Sequence, residues 1–114
     1  MKFISIYTTS PANWSTPPTE RDIAEMGALI GEMRQAGALL DTGGVMSGGS
    51  SVRVDLHADN VTVTDGPFTE AKEVVGGFAV LEVASKDEAV AWTRRFLECA
   101  GDGTVELHEL SPFS

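Results

Sequence analysis

The residues best able to do chemistry cluster around Asp65. Gly66 and Pro67 follow it, then Phe68, Glu70, Lys72 and Glu73. A carboxylate held at a turn beside a pocket can act as a general base, or bind a cationic or hydroxylated ligand. A local role is also open to it. Asp before Gly and Pro commonly bonds the backbone of its own turn. Asp65, Glu70 and Glu73, with His57 nearby, are residue types that can surround a hard cation. Their spacing does not demand one, a solvated charged loop accounts for them, and no metal is assigned. Lys72 balances the glutamates on either side. Lys72 or Arg53 is also the side chain that would hold a substrate carboxylate.

The other candidates are more scattered. Trp14, between Asn13 and Ser15, is a large aromatic in a loop, suited to a ligand pocket or a subunit seam. Trp92 reads as core. His57 falls near a hairpin tip and reads as solvent-facing. His108 falls in a late strand, where a structural or interfacial role fits. Cys99 lies on an apolar helical stripe with no histidine beside it, which describes an inert thiol. Gly43-Gly44 and Gly48-Gly49 lack the Gly-Lys-Ser/Thr ending of a phosphate loop, and no cofactor is assigned. The candidate ligand-binding set is therefore Trp14, Arg53, Asp65, Phe68, Glu70 and Lys72, with Asp65 the one candidate catalytic residue.

These residues need elements to position them. Residues 2–8 read as a strand, with Phe3, Ile4, Ile6 and Tyr7 leaving few polar positions. Residues 9–18, with three prolines, read as a loop. Thr19 and Asp22 then make a capping box. The helix they open places Ile23, Met26, Gly27, Ile30 and Met33 on one face and ends at Gly37. A second strand starts at Ala38-Leu39-Leu40 and runs toward Gly43-Gly44. Residues 52–64 alternate valines and leucine with polar residues around the turn formers Ala58-Asp59-Asn60, which predicts a β-hairpin. Residues 74–84 form another strand. Ser85 and Glu88 make a second capping box, for a helix carrying Ala89, Trp92, Phe96 and Cys99. Gly101 and Gly103 end that helix, and Val105 and Leu107 mark a last strand.

Without the hairpin the order is βαββαβ, so the predicted class is α+β, ferredoxin-like with an inserted hairpin. Right-handed crossovers put both helices on one sheet face. Phe3, Tyr7, Phe78 and Val80 are the candidates for the other face. A bare apolar face on so small a domain calls for a second copy, so a homodimer is expected.

Length and composition agree. The chain has 114 residues, enough for one domain over 1–114. Its 17 acidic and 8 basic residues leave a net charge of −9, which argues against nucleic-acid and anionic-membrane partners. Residues 65–114 hold 10 of the acidic residues and 4 of the basic ones, so the acidity concentrates from Asp65 onward. One cysteine forms no intrachain disulfide, no stretch is long enough to span a membrane, and no leader pattern opens the chain. A cytoplasmic location is expected.

The run from Asp65 to Phe78 closely resembles the signature of the DGPF-domain proteins, a branch of the YCII-related family. Asp65-Gly66-Pro67-Phe68, Glu70, Lys72-Glu73 and Gly76-Gly77-Phe78 match its fixed positions. The likeness extends over nearly the whole chain, from the Met-Lys-aromatic start through the helix ending at Gly37 to the valine-rich hairpin. It implies a dimeric α+β fold related to the ferredoxin-like barrels. Members of the wider family look enzymatic where they carry a His–Asp pair, with the His in the first helix and the Asp near that helix's end. Met26 and Gln35 stand at those places here, and neither does acid–base work. Some relatives sit beside, or are fused to, extracytoplasmic-function sigma factors. Two expectations follow. One is a small-molecule binder with acid–base chemistry of lyase or isomerase type at Asp65. The other is a non-catalytic regulatory or interaction protein, linked to such a sigma factor.

Overall fold

The computed structural model describes residues 1–46, 51–66 and 74–113. Strand β1 (Lys2–Thr9) leads into a short helix α1 (Pro11–Ser15) and then helix α2 (Glu20–Gln35). Strand β2 (Leu39–Gly44), hairpin strands β3 (Val52–His57) and β4 (Asn60–Asp65), and strand β5 (Val74–Glu82) follow. Helix α3 (Lys86–Ala100) and strand β6 (Thr104–Glu109) complete an α+β architecture. The main sheet has the order β2-β5-β1-β6, and every neighbouring pair in it is antiparallel.

Local signals account for most element ends. Thr19 Oγ1 accepts from the Asp22 N–H at 3.1 Å, and the Asp22 carboxylate accepts the Thr19 N–H at 3.0 Å. Gly37 takes φ +73°, a left-handed conformation that closes α2 at little cost for glycine. At α3, Ser85 Oγ accepts from the Glu88 N–H, while Glu88 reaches the N–H of Ala84 rather than that of Ser85. That end is thus a cap spread over one more residue than the expected box. The stretch 9–18 is not all loop. Ser10 caps α1, with Pro11 in its first turn, where a missing N–H costs nothing.

Strand β1 is apolar on both faces, but the faces differ. Phe3, Ser5, Tyr7 and Thr9 are buried, and Ile4, Ile6 and Thr8 are half-buried. Phe3 packs in one core with Leu29 and Met33 of α2, Leu39 of β2, Leu81 of β5 and Ala89 of α3. Tyr7 meets Phe96 of α3 edge-on, with ring centroids 5.2 Å apart. The sequence expectation put Phe3 and Tyr7 on the opposite face; they face the helices instead, where α2 and α3 bury them. Ile4 pairs with Val80 and Ile6 with Phe78, so those four form the centre of the uncovered face. In α2 the buried stripe runs through Leu29 and Met33, flanked by Met26 and Ile30, while Ile23 is 61% exposed. Arg95 of α3 grips Glu32 of α2 with both guanidinium nitrogens, at 2.9 and 2.6 Å. Each group holds the other in its charged form: the bond lowers the Glu32 pKa and raises that of Arg95.

The hairpin stands apart from this core. β3 and β4 pair with each other and with no strand of the main sheet. Ala58 and Asp59 both have positive φ, the backbone of a two-residue type I′ turn. Val52, Val54, Leu56, Val61 and Val63 share one hairpin face, and all are more than half exposed.

Candidate functional site

Small residues create the site. Gly43 and Gly44 end β2, Gly76 and Gly77 lie near the start of β5, and Ala79 follows them. Under α2 and α3 these leave a cavity of about 330 Å³ against the sheet. Tyr7, Met26, Leu29, Trp92 and Phe96 supply much of its wall. Its size falls at the low end of ordinary small-molecule pockets.

The glycines have distinct jobs. A Cβ on Gly76 would stand 3.0 Å from the Tyr7 ring. A Cβ on Gly77 would stand 2.9 Å from the Gly43 carbonyl oxygen across the β2–β5 ladder. Gly43 is itself held small by Phe78, whose ring edge lies 2.8 Å from the Cβ position. The Gly-Gly-Phe run is thus explained by packing: one glycine admits an aromatic ring and the next a neighbouring strand.

Tyr7 is fixed at its far end. Its hydroxyl donates to the Asp102 carbonyl at 3.1 Å. Thr9 Oγ1 and Asn13 Nδ2 donate to the same oxygen at 2.8 and 3.1 Å. This ties β1 and α1 to the turn between α3 and β6.

The polar content of the cavity is sparse. Ser5, Thr42 and Thr93 line it beside Tyr7, and among the described residues none with a carboxylate, imidazole, amine, guanidinium or thiol does. Thr42 Oγ1 is committed to the Phe78 carbonyl at 2.9 Å. Met26 is among the lining residues, and Gln35 is exposed at the end of α2.

The candidates named from sequence fall elsewhere. Asp65 ends β4 opposite Val52 and is exposed, and Arg53 lies on β3 opposite Thr64. Neither lines the cavity. Phe68, Glu70 and Lys72 lie outside the described residues, as does Glu73. Trp14 sits in α1, and its side chain lies outside the described part of the structure. In sequence, the Asp-Gly-Pro-Phe run lies upstream of Gly76-Gly77 on the cavity wall, with residues 69–75 between them. His57 sits beside the hairpin turn and is exposed. His108 Nε2 lies 3.7 Å from Glu106 Oε2 on β6, both side chains exposed, and Cys99 packs half-buried against the core. Among the described residues no three His, Cys, Asp or Glu side chains gather as a metal site would require. No described helix is long and apolar enough to cross a membrane.

Sequence reasoning missed Ser5, Tyr7 and Leu29 as cavity residues. Alternation along β1 carried part of the signal, because Ser5 shares the face of Phe3 and Tyr7.

Comparison with known proteins points one way. An uncharacterized protein of Rhizobium meliloti (strain 1021) is 31% identical over 81 residues, covering 71% of this chain. The match spans 65% of that relative's length, so the chain accounts for about two thirds of it. The model of the YCII-related domain matches residues 1–114, and the chain belongs to the YCII-related family.

Proposed function

We propose that this protein is a small-molecule-binding member of the YCII-related family, whose ligand lies between the main sheet and helices α2 and α3. The observation that carries this reading is the apolar cavity of about 330 Å³ at the Gly76-Gly77 end of the family's signature run. The expectation from sequence put the ligand between the sheet and the hairpin side of that run. The cavity supports a ligand on the helix side instead.

Where the ligand undergoes proton transfer, of lyase or isomerase type, we assign the acid–base role to Asp65. The reason is chemical: apart from the Tyr7 phenol, no titratable side chain lines the cavity among the described residues, and Asp65 opens the run that in sequence ends at Gly76-Gly77-Phe78. Arg53, Phe68, Glu70, Lys72 and Trp14 complete the proposed ligand-binding set. The order β2-β5-β1-β6 supports reading the sheet as ferredoxin-like and residues 1–114 as one domain. The face of Ile4, Ile6, Phe78 and Val80 supports a homodimer of barrel type, packed sheet to sheet. A lone cysteine and an acidic charge fit a cytoplasmic protein with no nucleic-acid or membrane partner.

Native mass spectrometry of freshly purified protein tests the binding reading. A mass increment retained by the native chain and lost when the cavity mouth is filled by Gly44→Leu supports it. Asp65→Asn then separates binding from chemistry: retained ligand with turnover abolished is the expected result. An increment that persists in Gly44→Leu removes the cavity as the site.

A second reading has its own observation. The hairpin exposes Val52, Val54, Leu56, Val61 and Val63 on a single face, a patch of the kind that marks interaction surfaces. This suits a regulatory protein, linked to an extracytoplasmic-function sigma factor. A pull-down across a salt series, with Leu56→Lys as control, would sink it if the same proteins were recovered with both chains.

A further inference from the structure

We infer that the ligand is a neutral, largely apolar ring compound carrying one hydrogen-bonding group, and that the Ser5 hydroxyl receives this group. The inference rests on the cavity being a ligand site, as proposed above, and specifies what the site selects.

Charge is the first filter. Among the described residues no Asp, Glu, His, Lys or Arg lines the cavity, so there a charged ligand would lose its hydration without a compensating partner. Size is the second. At about 30 Å³ for each water-sized group, 330 Å³ holds about ten non-hydrogen atoms. Shape is the third. Tyr7, Trp92 and Phe96 offer aromatic surfaces, and Met26 and Met33 adapt to an irregular outline.

Ser5 supplies the polar contact. It is 8% exposed, lines the cavity and lies on the helix-facing side of β1 between Phe3 and Tyr7. No hydrogen bond to or from its hydroxyl occurs among the described residues, and its oxygen is not sealed from the cavity space. The Tyr7 and Thr42 hydroxyls are already committed to main-chain carbonyls. The Thr93 hydroxyl of α3 likewise has no hydrogen bond among the described residues, but Thr93 is only half-buried where Ser5 is buried, so its hydroxyl gains less from a ligand. A hydroxyl that opens to the cavity is free to bond a ligand group, which gains the net worth of one hydrogen bond.

The test uses the full chain and three probes of similar outline: toluene, para-cresol and para-toluate, titrated by calorimetry. Para-cresol is expected to bind about three- to tenfold more tightly than toluene, the worth of one hydrogen bond. Para-toluate is expected to bind at least about tenfold more weakly than para-cresol. Ser5→Ala should erase the difference between para-cresol and toluene. Gly44→Leu should abolish both, since Gly44 lines the cavity and a Cβ there meets nothing within 4 Å. That variant keeps the test decisive if Ser5→Ala perturbs folding. Para-toluate binding as tightly as para-cresol, in a manner sensitive to Gly44→Leu, overturns the ligand class and leaves the binding site standing. Equal binding of toluene and para-cresol to the native chain overturns the Ser5 role. No binding by any probe, or binding indifferent to Gly44→Leu, overturns the site itself.

Discussion

Tyr7 shows how much one side chain constrains its neighbours. Its ring fills a slot between Gly76 and Gly103, and its hydroxyl reaches Asp102. A Cβ on Gly103 would lie 2.5 Å from the ring and 2.6 Å from the Thr8 carbonyl oxygen, and the carbonyl belongs to a strand that cannot swing away. Gly103→Ala is therefore expected to cost about 1–3 kcal/mol, read as a lower urea midpoint with unchanged slope. A second prediction concerns acid. The Asp22 carboxyl is held below the usual carboxylate range, first by the Thr19 N–H and then by the Thr19 side chain. Glu32 is held low by Arg95. A carboxyl lowered in the folded state stabilises the fold above its ordinary pKa. That contribution is lost as the pH falls through the folded value. Melting temperature should therefore fall less steeply for Asp22→Asn than for the native chain on acidification below about pH 4. Parallel curves would show that the capping carboxylate does not couple to stability.

At the level of elements, features set by neighbouring residues could be read from the chain. The Thr19–Asp22 cap, the Gly37 terminus and the hairpin turn all rest on contacts a few residues apart. Which face of β1 turns inward could not be read, because Phe3 and Tyr7 on one side and Ile4 and Ile6 on the other are equally apolar. The inward choice depends on α2 and α3 arriving from distant sequence. Helix α1 escaped notice because its Ser10-Pro11 start sits in a stretch rich in helix breakers. The cavity was invisible for a related reason, since its glycines belong to two strands that meet only in the sheet. The hairpin carries its own prediction. Ala58 holds a left-handed conformation that costs an L-residue about 1–2 kcal/mol. Replacing Ala58-Asp59 by Asn-Gly should relieve much of this and slow amide exchange in β3 and β4. The main sheet should be unaffected, because the hairpin shares no ladder with it.

For the whole molecule, the asymmetry of the main sheet matters most. One face is covered by helices; the other presents Ile4, Ile6, Phe78 and Val80, with Glu106 and His108 of β6 beside them. If this face joins two copies, Ile6→Lys places two unpaired charges near a two-fold axis. It should then convert the dimer to monomers in sedimentation velocity while leaving the core intact. An unchanged sedimentation coefficient would place any dimer contact elsewhere. The cavity, finally, gives the molecule a mechanical property. Whatever part of that space water cannot pack is lost on unfolding, so unfolding reduces the volume, by up to some tens of mL/mol. Hydrostatic compression should therefore unfold the native chain more readily than Gly44→Leu, and an occupant in the cavity should raise the midpoint pressure.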